Sequence, residues 1–269
     1  MYLVMKYLNE DEQNQRRIWD RYAERGYLQS TIDPNDEKGL KCKYIDLWSQ
    51  HYLRQFLPIN KKTIFLEVGC GSGRNLFSLA PNVKMAFGTD VSKKQIINAK
   101  RWKKEKNVDN IFFFDDVEKL FMQSPDIGCL FTMWILQGFN DDNNLLKMIQ
   151  MYKSGLPTIK TFVFFEQVAT QSYVVKEKSR FYKKIRTMEN YIQIFSQAGL
   201  DLRAYKILNE KGFGPLYKYI YMTRLYWYWP RWMDINNILF FIDRRLVKRQ
   251  IADTFTDVVF VCLRGTNAT

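Results

Sequence analysis

The feature that most constrains this chain is the stretch TIFLEVGCGSGRN at residues 63–75, in which Gly69, Gly71 and Gly73 occupy alternate positions. An apolar run precedes the glycines and a helical pattern follows them. A strand, a glycine-rich turn and the start of a helix form a site where a ligand approaches the backbone, because a Cβ atom would block the approach or the unusual backbone angles. The stretch therefore predicts a nucleotide-type ligand at the end of a strand.

Short apolar runs alternate with amphipathic helical patterns from residue 63 onward, and seven of the runs indicate strands. This alternation predicts βαβ units and an α/β fold, with a seven-stranded, mostly parallel sheet and helices on both faces. The first part of the chain is helical and polar in pattern. We therefore expect an N-terminal helical cover at residues 1–60 and one domain at residues 61–269, with an aromatic and basic helical insertion at residues 211–252 before the last strand.

Composition narrows the class of protein and its partners. Lys and Arg number 41 against 28 Asp and Glu, so the net charge is +13, which favours nucleic acid, an anionic membrane surface or a phosphorylated substrate unless it only aids solubility. Four scattered cysteines without a CxxC pair argue against a zinc site or a disulfide framework and suit a reducing cytoplasm. No apolar run is long enough to span a membrane, and no signal peptide is evident. We expect a cytoplasmic protein without a metal.

The spacing of the glycines distinguishes between nucleotide sites. A dinucleotide site is written G-x-G-x-x-G, whereas here the third glycine comes one residue early, and no GK[ST] follows as in a Walker loop. The pattern E-x-G-x-G-x-G, which begins at Glu67, resembles motif I of the class I S-adenosylmethionine-dependent methyltransferases. Asp90 and Asp116 end the next two strands, where that family places acids near the ribose and the adenine. Carboxylates suit a ribose diol but would repel a phosphate.

The resemblance implies S-adenosylmethionine as cofactor and a set of residues that contact it. The glycines admit the methionine portion, Glu67 and Arg74 hold its polar ends, and Asp90 binds the ribose. Met133 and Trp134 line the route to the acceptor. The predicted cofactor-binding residues are Glu67, Gly69, Cys70, Gly71, Gly73, Arg74, Asp90, Val91, Asp116, Val117, Met133 and Trp134.

A general base is needed only if the acceptor must lose a proton, as a hydroxyl does. Related small-molecule enzymes often carry a histidine after the fourth strand, but this sequence has Gly138 there. The remaining candidates for a catalytic role are His51, the only histidine in the chain, and Glu166 in the fifth strand. His51 is also explained as a partly exposed helix residue, and Glu166 as a residue that orients a neighbour.

The acceptor is less constrained than the cofactor. The motifs for methylating bases of DNA are missing, so we expect a small-molecule or glycan acceptor. Three interpretations of the insertion remain open: a helical layer that closes the acceptor pocket, a surface for an anionic membrane or lipid-linked acceptor, and a platform for single-stranded nucleic acid. A loose resemblance to bacterial enzymes of surface-glycan (lipopolysaccharide) biosynthesis favours a saccharide hydroxyl on a lipid- or phosphate-bearing carrier. The alternatives are an RNA methyltransferase and a non-catalytic protein that binds S-adenosylmethionine.

Overall fold

The computed structural model describes residues 10–123, 125–176, 182–210, 213–228 and 234–265. Six parts of the predicted regions lie outside the described residues: 1–9 of the cover, 124, 177–181 and 266–269 of the domain, and 211–212 and 229–233 of the insertion.

A seven-stranded sheet forms the centre of the protein, in the order β3-β2-β1-β4-β5-β9-β8. β1 to β5 run parallel, and β9 lies antiparallel between β5 and β8. A separate hairpin pairs β6 with β7, an element that the sequence analysis did not predict. The strands are β1 Ile64–Val68, β2 Met85–Thr89, β3 Ile111–Phe114, β4 Cys129–Met133, β5 Thr161–Val168, β6 Tyr173–Lys176, β7 Tyr182–Ile185, β8 Leu200–Glu210 and β9 Thr256–Arg264.

Helices connect these strands, and the sequence explains where several of them begin. Thr187 caps the helix that begins at Met188, because its side chain accepts a hydrogen bond from Asn190 N. The capping-type pattern of Thr187 and Asn190 in the sequence predicts this cap. The helices are α1 Glu10–Tyr22, α2 Leu40–Phe56, α3 Arg74–Leu79, α4 Lys93–Glu105, α5 Val117–Gln123, α6 Asp142–Gly155, α7 Met188–Gln197, α8 Pro215–Met222 and α9 Ile235–Leu246. The amphipathic pattern of residues 234–250 predicts a helix that continues to residue 250, but α9 ends at Leu246 because Val247 adopts an extended conformation.

Two apolar cores cover the two faces of the sheet. On one face, Tyr44 and Trp48 of α2 pack in a cluster with side chains of α3, α4, α8 and α9. On the other face, Leu120 of α5 packs with side chains of α6 and α7, among them Tyr191. The predicted fold, a mostly parallel seven-stranded sheet with helices on both faces, is confirmed. Among the described residues, no helix has the length and apolar character needed to cross a bilayer.

Side chains alternate between the two faces along each strand. Phe65, Phe165 and Val259 belong to the cluster on the α2 side. Glu67 and Asp257 therefore point to that side, each two positions from one of these apolar side chains. Pairing of Gln167 with Asp257 brings the end of β5 beside the start of β9. Polar groups on one face thus collect where β1 and β5 end.

Candidate active site

The turn after β1 adopts a conformation that only glycine takes readily. Gly69, Gly71 and Gly73 all have positive φ, at 76°, 54° and 87°. A Cβ atom on Gly73 would lie 2.7 Å from the Phe113 ring, and one on Gly71 would lie 2.5 Å from the Thr31 methyl group. Backbone angle and packing of the protein itself therefore explain these two glycines, so of the two reasons that the sequence offered for glycine at this turn, the structure supports the unusual backbone angles.

A cavity of about 880 Å³ lies where β1, β2, β3, β4 and β5 end. The N-terminal helices and the loop between them form its opposite wall through residues such as Trp19, Tyr22 and Ile45. Gly73, although predicted, is not among the lining residues. The other predicted cofactor-binding residues all line the cavity: Glu67, Gly69, Cys70, Gly71, Arg74, Asp90, Val91, Asp116, Val117, Met133 and Trp134.

Only one of the two carboxyl oxygens of the buried Glu67 side chain has a hydrogen-bond partner among the described residues. Its Oε1 accepts a hydrogen bond from Asn75 Nδ2 at 2.6 Å. Its Oε2 is buried and has no hydrogen-bond partner among the described residues. Burial raises the pKa of Glu67 to about 8, although Asn75 and Arg74 act in the opposite direction. A cationic donor in the cavity would stabilise the ionised form of this side chain.

The two predicted acids at the ends of β2 and β3 both accept hydrogen bonds from backbone N–H groups. Asp90 accepts hydrogen bonds from Gly71 N and Ser92 N, each at 2.8 Å, so it fixes the glycine turn as well as lining the cavity. Burial raises the pKa of Asp90 to about 6 despite these two bonds. Asp116 accepts from Glu118 N at 2.9 Å at the start of α5.

Hydrogen bonds and an ion pair hold helices α1 and α2 against the wall of the cavity. Arg74 is 6% exposed, and its Nη1 lies 2.6 Å from Asp46 Oδ1 of α2. Gln50 of the same helix donates to Asn75 Oδ1 at 3.1 Å. Gln15 of α1 donates to the Gly138 carbonyl at 3.2 Å. Substitutions in these helices would therefore disturb both the glycine turn and the turn after β4.

Trp134 directly follows β4 and faces the start of β9. Its φ of 59° is an outlier for a bulky residue, and such strain concentrates at functional sites. Its Nε1 donates to Asp257 Oδ1 at 3.2 Å. Burial raises the pKa of Asp257 to about 6, against hydrogen bonds from Gln167 and Trp134 and the charge of Lys183. Asp257, Gln167 and Lys183 all line the cavity.

Four buried oxygens on the cavity wall have no hydrogen-bond partner among the described residues, and all four are acceptors. They are Glu67 Oε2, Gln95 Oε1, Gln137 Oε1 and Gln167 Oε1. An unsatisfied buried acceptor costs about 1–3 kcal/mol. The cavity is therefore suited to a ligand that brings several N–H or O–H donors.

Glu166 does not reach the cavity. It lies one residue from Gln167 on β5, so its side chain points to the opposite face of the sheet. Its Oε1 accepts from Ile135 N and Leu136 N, each at 2.9 Å, and burial raises its pKa to about 7. The prediction that Glu166 has a catalytic role is not supported by this placement; the side chain positions the turn after β4.

His51 also lies away from the cavity. It lines a separate hollow of about 250 Å³ between α2, β8 and α9, together with Lys206 and Arg244. This hollow shares no lining residue with the cavity. The prediction that His51 acts on the acceptor as a base is therefore not supported by its position.

Three residues at or behind the candidate site were missed by the sequence analysis. The sequence does distinguish Asp257, because it is an acid at a core-facing position of an otherwise apolar strand. Gln167 is adjacent to Glu166, the residue that the sequence analysis selected instead. Arg186, which is fully buried, donates to the carbonyls of Leu136 and Phe139 at 3.0 and 2.6 Å and so holds the turn after β4 from the other side. Nothing in its local sequence distinguishes it.

Comparison with known proteins gives a family match for the region that carries the glycine turn. Residues 65–155 match the model of a family described as "Methyltransferase domain". No curated protein sequence matches the chain. Among the described residues, no group of three or more His, Cys, Asp or Glu side chains could hold a metal ion.

Several solved structures share the fold at low sequence identity. A geranyl diphosphate C-methyltransferase from Streptomyces coelicolor, solved with S-adenosyl-L-homocysteine, superposes with a TM-score of 0.60 at 12% identity, covering 96% of this chain and 100% of that one. A SAM-dependent methyltransferase from Leishmania major gives 0.57 at 14% identity, with 94% and 82% covered. A magnesium protoporphyrin IX methyltransferase from Synechocystis with bound SAM gives 0.52 at 12%, with 97% and 100% covered.

Proposed function

We propose that this protein, a class I S-adenosylmethionine-dependent methyltransferase by its methyltransferase domain at residues 65–155, methylates a hydroxyl group of a saccharide or similar small acceptor. The observation that carries the proposal is the Asp257 carboxyl, which lines the same cavity as the glycine turn and has a pKa of about 6. A carboxylate with such a pKa is ionised at neutral pH and can accept a proton from a hydroxyl.

The residues around the glycine turn fit S-adenosylmethionine. Glu67 Oε2, a buried acceptor without a partner among the described residues, suits the ammonium of the methionine portion. Asp90 and Asp116 would take the ribose and the adenine side, with Val117 as an apolar neighbour. When bound, S-adenosylmethionine supplies a methyl group attached to a positively charged sulfur. Because of this charge the sulfur is already a good leaving group, and no acid is needed to protonate it. The protein therefore has to orient the acceptor and remove its proton.

Asp257 is placed to do the second task. Its Oδ1 accepts from Trp134 Nε1 and its carboxyl also receives a hydrogen bond from Gln167, so two side chains fix its orientation. In the proposed reaction the acceptor hydroxyl would give its proton to Asp257, and an oxygen lone pair would form the new bond to the methyl carbon as the carbon–sulfur bond breaks and its electron pair goes to the sulfur. Gln167 Oε1, beside this carboxyl, is a second acceptor that a neighbouring hydroxyl could satisfy.

The wall of the cavity suits a polyol with an apolar ring face. With Glu67 Oε2 assigned to the cofactor, the unsatisfied acceptors Gln137 Oε1 and Gln167 Oε1 suit a ligand with several O–H groups, such as a saccharide. Aromatic side chains supply flat apolar surface against which a sugar ring can lie. The aromatic residues on the cavity are Trp19, Tyr22, Trp134, Phe139, Phe213 and Phe255, besides Phe114 and Tyr152.

We further propose that the insertion at 211–252 meets an anionic membrane surface on the cytoplasmic side, where a lipid-linked or phosphorylated carrier would present the acceptor. In its described part, large side chains such as Tyr219, Met222 and Tyr228 are exposed, the last at 87%. Arg244 and Arg245 stand in the last turn of α9 and would attract anionic head groups. The four free, buried cysteines suit a reducing compartment.

Transfer of a tritiated methyl group tests the proposal. Purified protein is incubated with labelled S-adenosylmethionine and, in separate arms, with a cell-envelope glycan extract and with total RNA. We expect label in the glycan arm. Asp257→Asn should lower the rate by at least about a hundredfold, the lower range for a general base. Asp253→Asn serves as the control, since that exposed side chain bonds Thr170 and lies just before the same strand.

Three results would contradict the proposal. Label in RNA alone would assign the protein to the RNA methyltransferases. Binding of S-adenosylhomocysteine without transfer in any arm would favour a non-catalytic binding protein. An equal loss of rate in Asp253→Asn and Asp257→Asn would remove Asp257 as the base.

A further inference from the structure

A second concave site lies on the side of the molecule where α2, β8 and α9 meet. Its volume is about 250 Å³, and the residues that line it include His51, Lys206, Arg244, Arg245 and Arg249. No acidic residue lines it. We call this site the basic hollow. It shares no lining residue with the cavity of the candidate active site, so a group bound here would be held by a separate set of side chains.

The charge of the basic hollow is not neutralised by the protein. Among the described residues, none of Lys206, Arg244, Arg245 and Arg249 belongs to an ion pair. Four cations gathered around one imidazole repel one another, and such an arrangement is stable when an anion joins it. Burial lowers the pKa of His51, and the charges of Arg244, Lys206 and Arg249 lower it further.

Aromatic rings hold several of these groups in place. The guanidinium carbons of Arg244 and Arg245 lie 4.7 and 4.4 Å from the centroid of the Phe241 ring. Lys206 Nζ lies 5.5 Å from the Phe56 ring. The His51 ring contacts Phe240 at a centroid distance of 5.6 Å. A preorganised cluster loses less side-chain entropy when an anion binds.

We propose that the basic hollow binds a phosphate group. Arginine forks match phosphate oxygens, and a protonated His51 would add another donor. The volume is below the range of about 300–1,000 Å³ for pockets that hold whole small molecules, so a single phosphate or pyrophosphate moiety fits better than a nucleotide chain. The site deepens the proposed function, because it would hold the phosphate of the carrier, but it does not depend on which atom is methylated.

The single histidine makes the proposal directly measurable. Because the chain has one His, the imidazole resonances in an NMR pH titration belong to His51 without assignment. Four cations, Lys206, Arg244, Arg245 and Arg249, line the same hollow as this ring, as does Tyr52, whose hydroxyl group donates to the Leu208 carbonyl. An anion bound among them must raise the pKa of His51, since it favours the charged imidazolium.

Inorganic pyrophosphate in a phosphate-free buffer is the first probe. We expect saturable pyrophosphate binding that shifts the His51 titration to higher pH. Arg244→Gln should weaken this binding by about tenfold, as expected for a lost charge-assisted hydrogen bond. Lys248→Gln removes the same charge from the same segment but does not line the hollow, so pyrophosphate should bind this control as it binds the wild type.

Liposome flotation separates the two sources of phosphate. If the phosphate belongs to a lipid, vesicles of phosphatidylcholine with phosphatidylglycerol will float the protein, pyrophosphate will compete, and Arg244→Gln will stay unbound while Lys248→Gln floats. If it belongs to a soluble molecule, pyrophosphate will bind but the vesicles will not. No shift of His51 with either probe, or equal weakening in the two variants, would overturn the proposal, as would tighter binding of single-stranded RNA that pyrophosphate does not displace. Methyl transfer plays no part in these measurements, so their failure is separate from failure of the O-methylation proposal.

Discussion

Glu67→Gln should make the ligand-free protein more stable at neutral pH while weakening its binding of S-adenosylhomocysteine. The reason is that Glu67 keeps one buried carboxylate oxygen without a partner among the described residues, as a site prepared for a cation does. Glutamine has the same shape, and its oxygen can still accept from Asn75 Nδ2. Unlike glutamate, however, glutamine cannot ionise, so the folded protein never has to bury a charge at this position.

The magnitude follows from the pKa of Glu67, which burial raises from 4.5 to about 8. A carboxyl whose pKa is raised by folding holds its proton in the folded state while the unfolded chain releases it. Folding stability is therefore lost as pH rises above 4.5, and the loss stops growing above about pH 8. At pH 7 it amounts to about 3 kcal/mol, at about 1.4 kcal/mol for each pH unit above 4.5. Glu67→Gln removes this loss.

Urea unfolding of both proteins at pH values from about 5 to 8 measures the effect. The advantage of the variant should grow steadily over this range. Glu105→Gln is the matched control, because Glu105 is an exposed glutamate of α4, and its pH dependence should follow that of the wild type. A stability difference between Glu67→Gln and wild type that stays constant from pH 5 to pH 8 would refute the electrostatic reasoning.

Calorimetry completes the test on the ligand. The ammonium of S-adenosylhomocysteine should favour the ionised form of Glu67, so the wild type should release a proton on binding at pH 7. Titrations in two buffers with different ionisation enthalpies detect this proton. Glu67→Gln should bind about tenfold more weakly or worse, as expected for a lost charge-assisted hydrogen bond, and should release no proton. Unchanged affinity would show that Glu67 does not hold the ammonium.

Three further predictions concern side chains around the cavity. Methyl transfer should rise with pH through about 6 and then level off, because Asp257 must be ionised, and a rate–pH profile shows this. Glu166→Gln should lower kcat more than it changes the KM for S-adenosylmethionine in steady-state kinetics, since it weakens the acceptor for Ile135 N and Leu136 N and so loosens the turn after β4. Asp46→Asn should weaken S-adenosylhomocysteine binding by a few-fold in calorimetry, because Arg74, nearly buried, loses its ion-pair partner.

The sequence predicts the fold well because the relevant signals are local. Apolar runs of strand length, helix caps such as Thr187 with Asn190, and the glycine turn each depend on a few neighbouring residues. The hairpin β6–β7 was missed, since its strands have only four residues each and pair outside the main sheet. The end of α9 was misplaced because polar residues after Leu246 continue a helical pattern that the backbone does not follow.

The two ends of the cavity differ in how far the sequence reveals them. Residues predicted for the cofactor stand at or just after the ends of β1, β2, β3 and β4, so strand order alone brings them to one edge. The acceptor side depends on parity along a strand and on distant contacts. The sequence analysis selected Glu166 for a catalytic role and not Gln167. Neighbouring residues of a strand point to opposite faces of the sheet, so the selected side chain points away from the cavity. Trp134 meets Asp257 across 123 positions of sequence, a contact that no local pattern contains.

This difference has a consequence for how such a protein changes its acceptor. Glu67, Asp90 and the glycine turn are tied to one another and to α2 through Asn75 and Arg74, so a substitution among them disturbs several hydrogen bonds at once. The groups on the acceptor side come from elements that contribute little to that network: the start of β9, the hairpin and the insertion. Substitutions at positions such as Lys183 or Phe213, which line the acceptor side from the hairpin and the insertion, can therefore alter which molecule is methylated while the cofactor end keeps its geometry.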